Sequence, residues 1–113
     1  MLLELSVIPL GRGRSISADV AEMVKIIEAS HLDYRLTATG TIVEGTWDQV
    51  MAVAHKCHIE MRGKTERVIT LMKLDDYEDR TGRLTAAVAS VEAKVGKPVR
   101  KYNSLASCGK ILW

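Results

Sequence analysis

Leu3, Leu5 and Val7 alternate with Glu4, Ser6 and Ile8, and this period of two predicts a first strand over residues 2–10 with one apolar and one half-polar face. Pro9 to Arg14 ends it in a flexible basic loop. The period then changes. Val20, Met23, Val24, Ile27 and His31 recur at helical spacing, Asp19, Glu22, Lys25 and Glu28 fall off that stripe, and Ser15 or Ser17 stands where a helix N-cap is wanted. Alternation returns in YRLTATGTIVEG, residues 34–45. There Tyr34 and Leu36 oppose Arg35 and Thr37, a β-branched run covers residues 41–46, and Gly40 supplies a permissive backbone between them, which predicts a hairpin.

Thr46-Trp47-Asp48-Gln49 matches a capping box, in which the Thr hydroxyl and the Gln side chain satisfy backbone donors reciprocally, so a second helix starts at once. Trp47, Val50, Met51, Ala54, His58 and Met61 line one side of it, and Gly63 suits a left-handed C-terminus. RVITLMKL, residues 67–74, reads as a fourth strand, followed by a charged turn over 75–80. Leu84, Ala87, Val88, Val91 and Val95 make a third amphipathic helix that Gly96 and Pro98 end. Residues 98–113 carry Leu105, Ile111, Leu112 and Trp113 without a clear period and read as an extra strand, an arm or a frayed end.

The order β, α, β, β, α, β, α predicts an α+β, ferredoxin-like plait: a four-stranded antiparallel sheet with the two crossover helices on one face. Residues 1–97 form that domain and residues 98–113 a C-terminal extension. The sheet face bearing Glu4, Ser6 and Ile8 is left without an intramolecular lid. A half-apolar open face favours self-association as a dimer or tetramer, and polar groups trapped in such a contact need partners, which a small polar ligand supplies.

Composition narrows the function. With 113 residues the chain is a single modest domain that buries about two-thirds of its unfolded surface. Sixteen Lys and Arg against fourteen Asp and Glu are too evenly balanced to argue for nucleic acid or a membrane surface. No apolar run approaches the roughly 20 residues that span a bilayer, and residues 1–10 lack the basic start and cleavage site of a secretory signal. Cys57 and Cys108 have no framework spacing, so a reducing cytoplasm is the expected compartment, with a disulfide between them left open.

Glu44, the one carboxylate of the hairpin, sits among apolar and hydroxyl side chains and is the first place to look for a ligand contact, with a sheet-edge salt bridge as the plainer alternative. His55 and His58 at i and i+3, flanking Cys57, would need further ligands from elsewhere to hold a metal, and helix burial accounts for His58 without one. No metal or cofactor is therefore expected. Gly11-Arg12-Gly13-Arg14 ahead of a helix has the character of an anion-holding loop but lacks the Gly-Lys-Ser/Thr ending of a nucleotide P-loop. A solvated loop is its simpler reading.

Four pieces, VIPLGRGRSIS at residues 7–17, GTIVEG at 40–45, RVITLMKLDD at 67–76 and VASVEAK at 88–94, together resemble the small thiamine-binding, or YkoF-like, family. The resemblance runs from about residue 3 to residue 94 with its pieces in the same order. It implies a ferredoxin-like fold assembled as dimers and tetramers that binds thiamine or its hydroxymethylpyrimidine moiety, without catalysis, in a pocket near subunit contacts. Carried over, Ser15 is similar to the loop serine, Thr41 to the hairpin threonine and Glu44 to the hairpin acid. The chain departs from the family where Ala38-Thr39 replaces a frequent Pro-Met and where Tyr77 replaces an Arg. Thiamine offers a cationic thiazolium and an aminopyrimidine with donors and acceptors, and Ser6, Ser15, Tyr34, Thr39, Thr41 and Glu44 have the chemical types to receive it. On this reading Glu44→Gln weakens cation binding far more than folding. Two other classes stay open: an acylphosphatase-like enzyme using Arg12 or Arg14 on phosphate, and an assembly module without a ligand.

Overall fold

A computed structural model describes residues 1–101. The chain runs β1 (Leu2–Pro9), α1 (Ser17–Ala29), β2 (Asp33–Leu36), β3 (Thr41–Glu44), α2 (Trp47–Arg62), β4 (Val68–Asp75) and α3 (Arg83–Val95). The four strands form one sheet in the order β2-β3-β1-β4 with every neighbouring pair antiparallel. This is the ferredoxin-like plait that the alternation of periods predicts. The expected strand, arm or frayed end beyond residue 101, and the pairing of Cys108, lie outside the described residues.

Register assigns the faces. Leu3 pairs with Val43 and Leu74, and Leu5 with Thr41 and Met72, so Leu3, Leu5, Val7, Thr41 and Val43 share one face. That face meets Met23 and Ile27 of α1 and Val50, Val53, Ala54, Cys57 and Met61 of α2 to make the core. Burying each Leu, Ile, Val or Met among them stabilises by about 1.5–3 kcal/mol. In α2 the buried stripe includes Val53 and Cys57, whereas Met51 and His58, taken as inward from the sequence, are only half-buried. Trp47 opens the helix ahead of the first buried position and is exposed.

The helix ends follow local chemistry in one case and depart from it in others. Thr46 and Gln49 form the complete capping box at the start of α2. Gly63 keeps a right-handed conformation instead of the expected left-handed one, because Lys64 and Thr65 continue the turn by donating to Met61. At α1 neither Ser15 nor Ser17 caps. Ile16 occupies that position without a side-chain bond, and Ser15 Oγ meets only Ser17, sharing a hydrogen bond with its Oγ at 3.2 Å and accepting a long one, 3.4 Å, from its N–H. His31 cannot continue the α1 stripe, since the helix stops at Ala29 and His31 turns left-handed (φ 61°) into solvent.

The second sheet face is only partly open. Arg35 and Glu44 alternate with the core-facing Tyr34 and Val43, and α3 packs against β2 and β3 on their side. Where Glu4, Ser6 and Ile8 pair with Lys73, Leu71 and Ile69, no helix among the described residues packs over the face, as expected. Ile69 and Leu71 are exposed there, and Met72 and Leu74 are exposed on the other side of β4, which is an edge strand.

Candidate functional site

β3 pairs with β1 only through Leu5, while β4 follows β1 to Pro9. The edge of β1 over residues 6–9 is therefore left without a β3 neighbour, and α1 and the hairpin tip flank the gap. The result is a groove of about 1030 Å³. Val20, Val24 and Ile27 of α1 with Leu5, Val7 and Ile8 of β1 give it an apolar wall, and Leu71 extends that wall onto the open sheet face. Ser6, Ser15, Thr39 and Thr41 also line it, as do the charged Arg14, Lys25 and Glu28.

The hairpin tip forms one rim. Thr37 Oγ1 donates to the Gly40 carbonyl and accepts from the Thr39 and Gly40 N–H groups, so the turn closes on a side chain. Gly40 is needed there for close approach and not for a left-handed backbone: a Cβ would stand 2.9 Å from Ser6 Oγ and 3.0 Å from the Leu5 carbonyl. Ser6 Oγ donates to the Thr39 carbonyl at 2.7 Å, pinning the rim to β1.

The opposite rim is the basic loop, and its arginines have different tasks. Arg12 grips both carboxylate oxygens of Asp19 at 3.1 Å, and Lys64 approaches the same carboxylate while pairing with Glu22. Asp19, off the apolar stripe in the sequence, is thus buried. The Arg12 hydrogen bond holds its pKa below the usual carboxylate range. Arg14 has no such partner among the described residues and lines the groove. A depressed carboxylate contributes stability that is fully present above the unfolded Asp value near 3.8 and lost as pH falls through the folded value. The urea midpoint of the wild type is expected to exceed that of Asp19→Asn at neutral pH, with the gap closing below that point. A gap independent of pH would contradict the assignment. Glu92, also lowered, by Lys101 and the Val99 N–H, is common to both proteins and cancels.

Tyr34 and Glu44 do not line the groove. Tyr34 donates its hydroxyl to Glu28 Oε2 at 3.0 Å, and burial, followed by that carboxylate, raises its pKa above the usual phenol value. Glu44 accepts from the Arg83 and Leu84 N–H groups at 2.8 and 3.2 Å. Helix α3 begins at Gly82 with no capping side chain of its own, so Glu44 supplies the cap from elsewhere in the fold. Arg83 pairs with Asp75, and Tyr77, the departure from the family pattern, stacks under Arg80 and Arg83. Sequence reasoning passed over Glu28 because it lies off the apolar stripe. The available signal was its placement on α1 six residues before Tyr34, across one tight connection.

The His pair holds no cluster. His58 Nδ1 meets Thr70 Oγ1 at 2.6 Å, His55 is exposed, and no group of three or more His, Cys, Asp or Glu is placed to hold a metal among the described residues. Burial pushes the Cys57 thiol up to about 11, which suits a packing residue. No helix among the described residues is long and apolar enough to cross a membrane.

Residues 3–92 match the family model described as thiamine-binding protein. Among individual proteins, the UPF0045 protein Mb1933 of Mycobacterium bovis is 32% identical over 87% of this chain and 97% of its own. The crystal structure of MJ1052 from Methanocaldococcus jannaschii, also a UPF0045 protein, is 26% identical and superposes with a TM-score of 0.75 over 80% of this chain and 93% of that one. A Thermotoga maritima structure, that of a candidate thiamine biosynthesis/salvage protein, shares the fold at a TM-score of 0.66 and 14% identity over 76% of this chain and 94% of that one. With the match covering most of its length, the chain belongs to the thiamine-binding protein family.

Proposed function

We propose that this protein binds thiamine or its hydroxymethylpyrimidine moiety, without transforming it, in the groove beside the free edge of β1. The observation that carries this reading is the composition of one cleft: an apolar wall from α1 and β1, hydroxyls from Ser6, Ser15, Thr39 and Thr41, and a carboxylate from Glu28. Those are the groups an aminopyrimidine joined to a cationic ring requires. Membership of the thiamine-binding family supports the same ligand class. The binding unit is residues 1–97, with residues 98–113 an extension, and the compartment is the cytoplasm.

The binding form is an oligomer of this chain. β4 is an eight-residue edge strand whose Ile69, Leu71, Met72 and Leu74 are all exposed, and Leu71 is shared between that surface and the groove. A second copy covering β4 would shield those side chains and bring the ligand close to the subunit contact. Of the two arginines open to the acylphosphatase-like alternative, Arg12 is committed to Asp19, which leaves it Arg14.

Isothermal titration with thiamine tests the reading. Binding is expected, and at a free ligand concentration of about 100 Kd it stabilises the fold by about 2.7 kcal/mol, visible as a raised Tm. No heat and no thermal shift with thiamine in large excess would leave the assembly module without a ligand.

A further inference from the structure

The three charged side chains of the groove are not equivalent. Arg14 precedes α1 and Glu28 lies in its last turn. Ser17 and Glu28 are about 16 Å apart along the helix axis at 1.5 Å per residue. The two ends of the groove therefore differ in sign. Among the described residues only Glu28 of the three is tethered by another side chain: the half-buried Tyr34 donates its hydroxyl to it across the α1–β2 connection. Lys25, one turn earlier, is exposed as Glu28 is and lines the same cleft with no such tether among the described residues.

We propose that Glu28, oriented by Tyr34, is the residue that makes the groove prefer a cationic ligand over a neutral one of the same ring chemistry. Resting on the thiamine reading above, this assigns selection to charge at one end of the cleft and predicts that the thiazolium lies toward Glu28. A carboxylate held in place by a hydroxyl loses less side-chain freedom when it meets a cation than a free one does. Its field is stronger beside an apolar wall than in open water. Lys25 acts with the opposite sign and limits the preference. Tyr34 is a positioning residue, working through Glu28 and not through the ligand.

The test compares thiamine with neutral hydroxymethylpyrimidine by isothermal titration at slightly alkaline pH, using wild type, Glu28→Gln, Lys25→Gln, Tyr34→Phe and the Glu28→Gln/Tyr34→Phe double variant, each checked for an unchanged thermal melt. Glu28→Gln is expected to weaken thiamine binding about three- to tenfold and leave hydroxymethylpyrimidine unaffected. Lys25→Gln strengthens thiamine binding about twofold, and added salt reduces the preference for thiamine in the wild type. Tyr34→Phe weakens thiamine binding about twofold alone and adds nothing in the Glu28→Gln background, as a positioning role requires. Equal losses for both ligands in Glu28→Gln, or none for either, overturn the assignment while thiamine binding by the wild type keeps the groove reading. Failure of the wild type to bind either ligand overturns both.

Discussion

Leu3→Ala is expected to cost about 2–5 kcal/mol, a large part of the roughly 5–15 kcal/mol that holds a domain of this size together. Leu3 lies on a central strand between Val43 and Leu74, is completely buried, and belongs to the core that faces the helical layer. Removing its methyl groups forfeits their transfer from water and leaves a cavity that two sheet neighbours and α2 cannot close together. The urea midpoint should fall with an unchanged slope, and the thermal midpoint by roughly 10–20 °C. Leu71→Ala is the control. Leu71 is more than half exposed, so its removal should move stability by less than about 0.5 kcal/mol in the isolated protomer. A loss at Leu71 rivalling that at Leu3 in a protein that light scattering finds monomeric would mean that the described burial is not the one that stabilises the protein in solution.

The second large effect is at Glu44. Glu44→Ala leaves the Arg83 and Leu84 N–H groups without an acceptor at a helix start that has no local cap, and is expected to cost about 1–2 kcal/mol. The loss should concentrate in α3. Hydrogen exchange at the amides of residues 83–86 should accelerate well beyond that of the core strands. Glu44→Gln keeps an acceptor and should lose less. Because Glu44 stands outside the groove, thiamine affinity should change by less than about twofold in Glu44→Gln, the reverse of what its place in the hairpin sequence suggests. Loss of thiamine binding in a folded Glu44→Gln protein would move the site away from the groove.

These two positions mark what could be read from the residues and what could not. Leu3, Leu5 and Val7 announce their burial by simple alternation, and the capping box at Thr46 and Gln49 needs only local bonds, so the plait and its order were legible. The role of Glu44 was not, since its partners are backbone groups nearly forty residues later, brought near by topology alone. Asp19 shows the same thing in charge. Its position off an apolar stripe is what a solvated acid also looks like, and only the return of the Gly11–Arg14 loop over α1 buries it under Arg12. Gly40 was rightly placed at the turn for the wrong reason, because a close approach across strands leaves no trace in one strand's sequence. Of the six residues chosen for the ligand, Ser6, Ser15, Thr39 and Thr41 meet in one cleft, Tyr34 reaches it through Glu28, and Glu44 turns away.

The location of the ligand is best tested by following the backbone amide resonances of the full chain during titration with thiamine. The groove reading predicts saturable shifts concentrated at Ser6, Ser15, Thr39 and Thr41 and along the inner turns of α1, with the amides around Arg62 to Arg67 undisturbed. Shifts centred on that second region or on α3, or none at saturating thiamine, would contradict it.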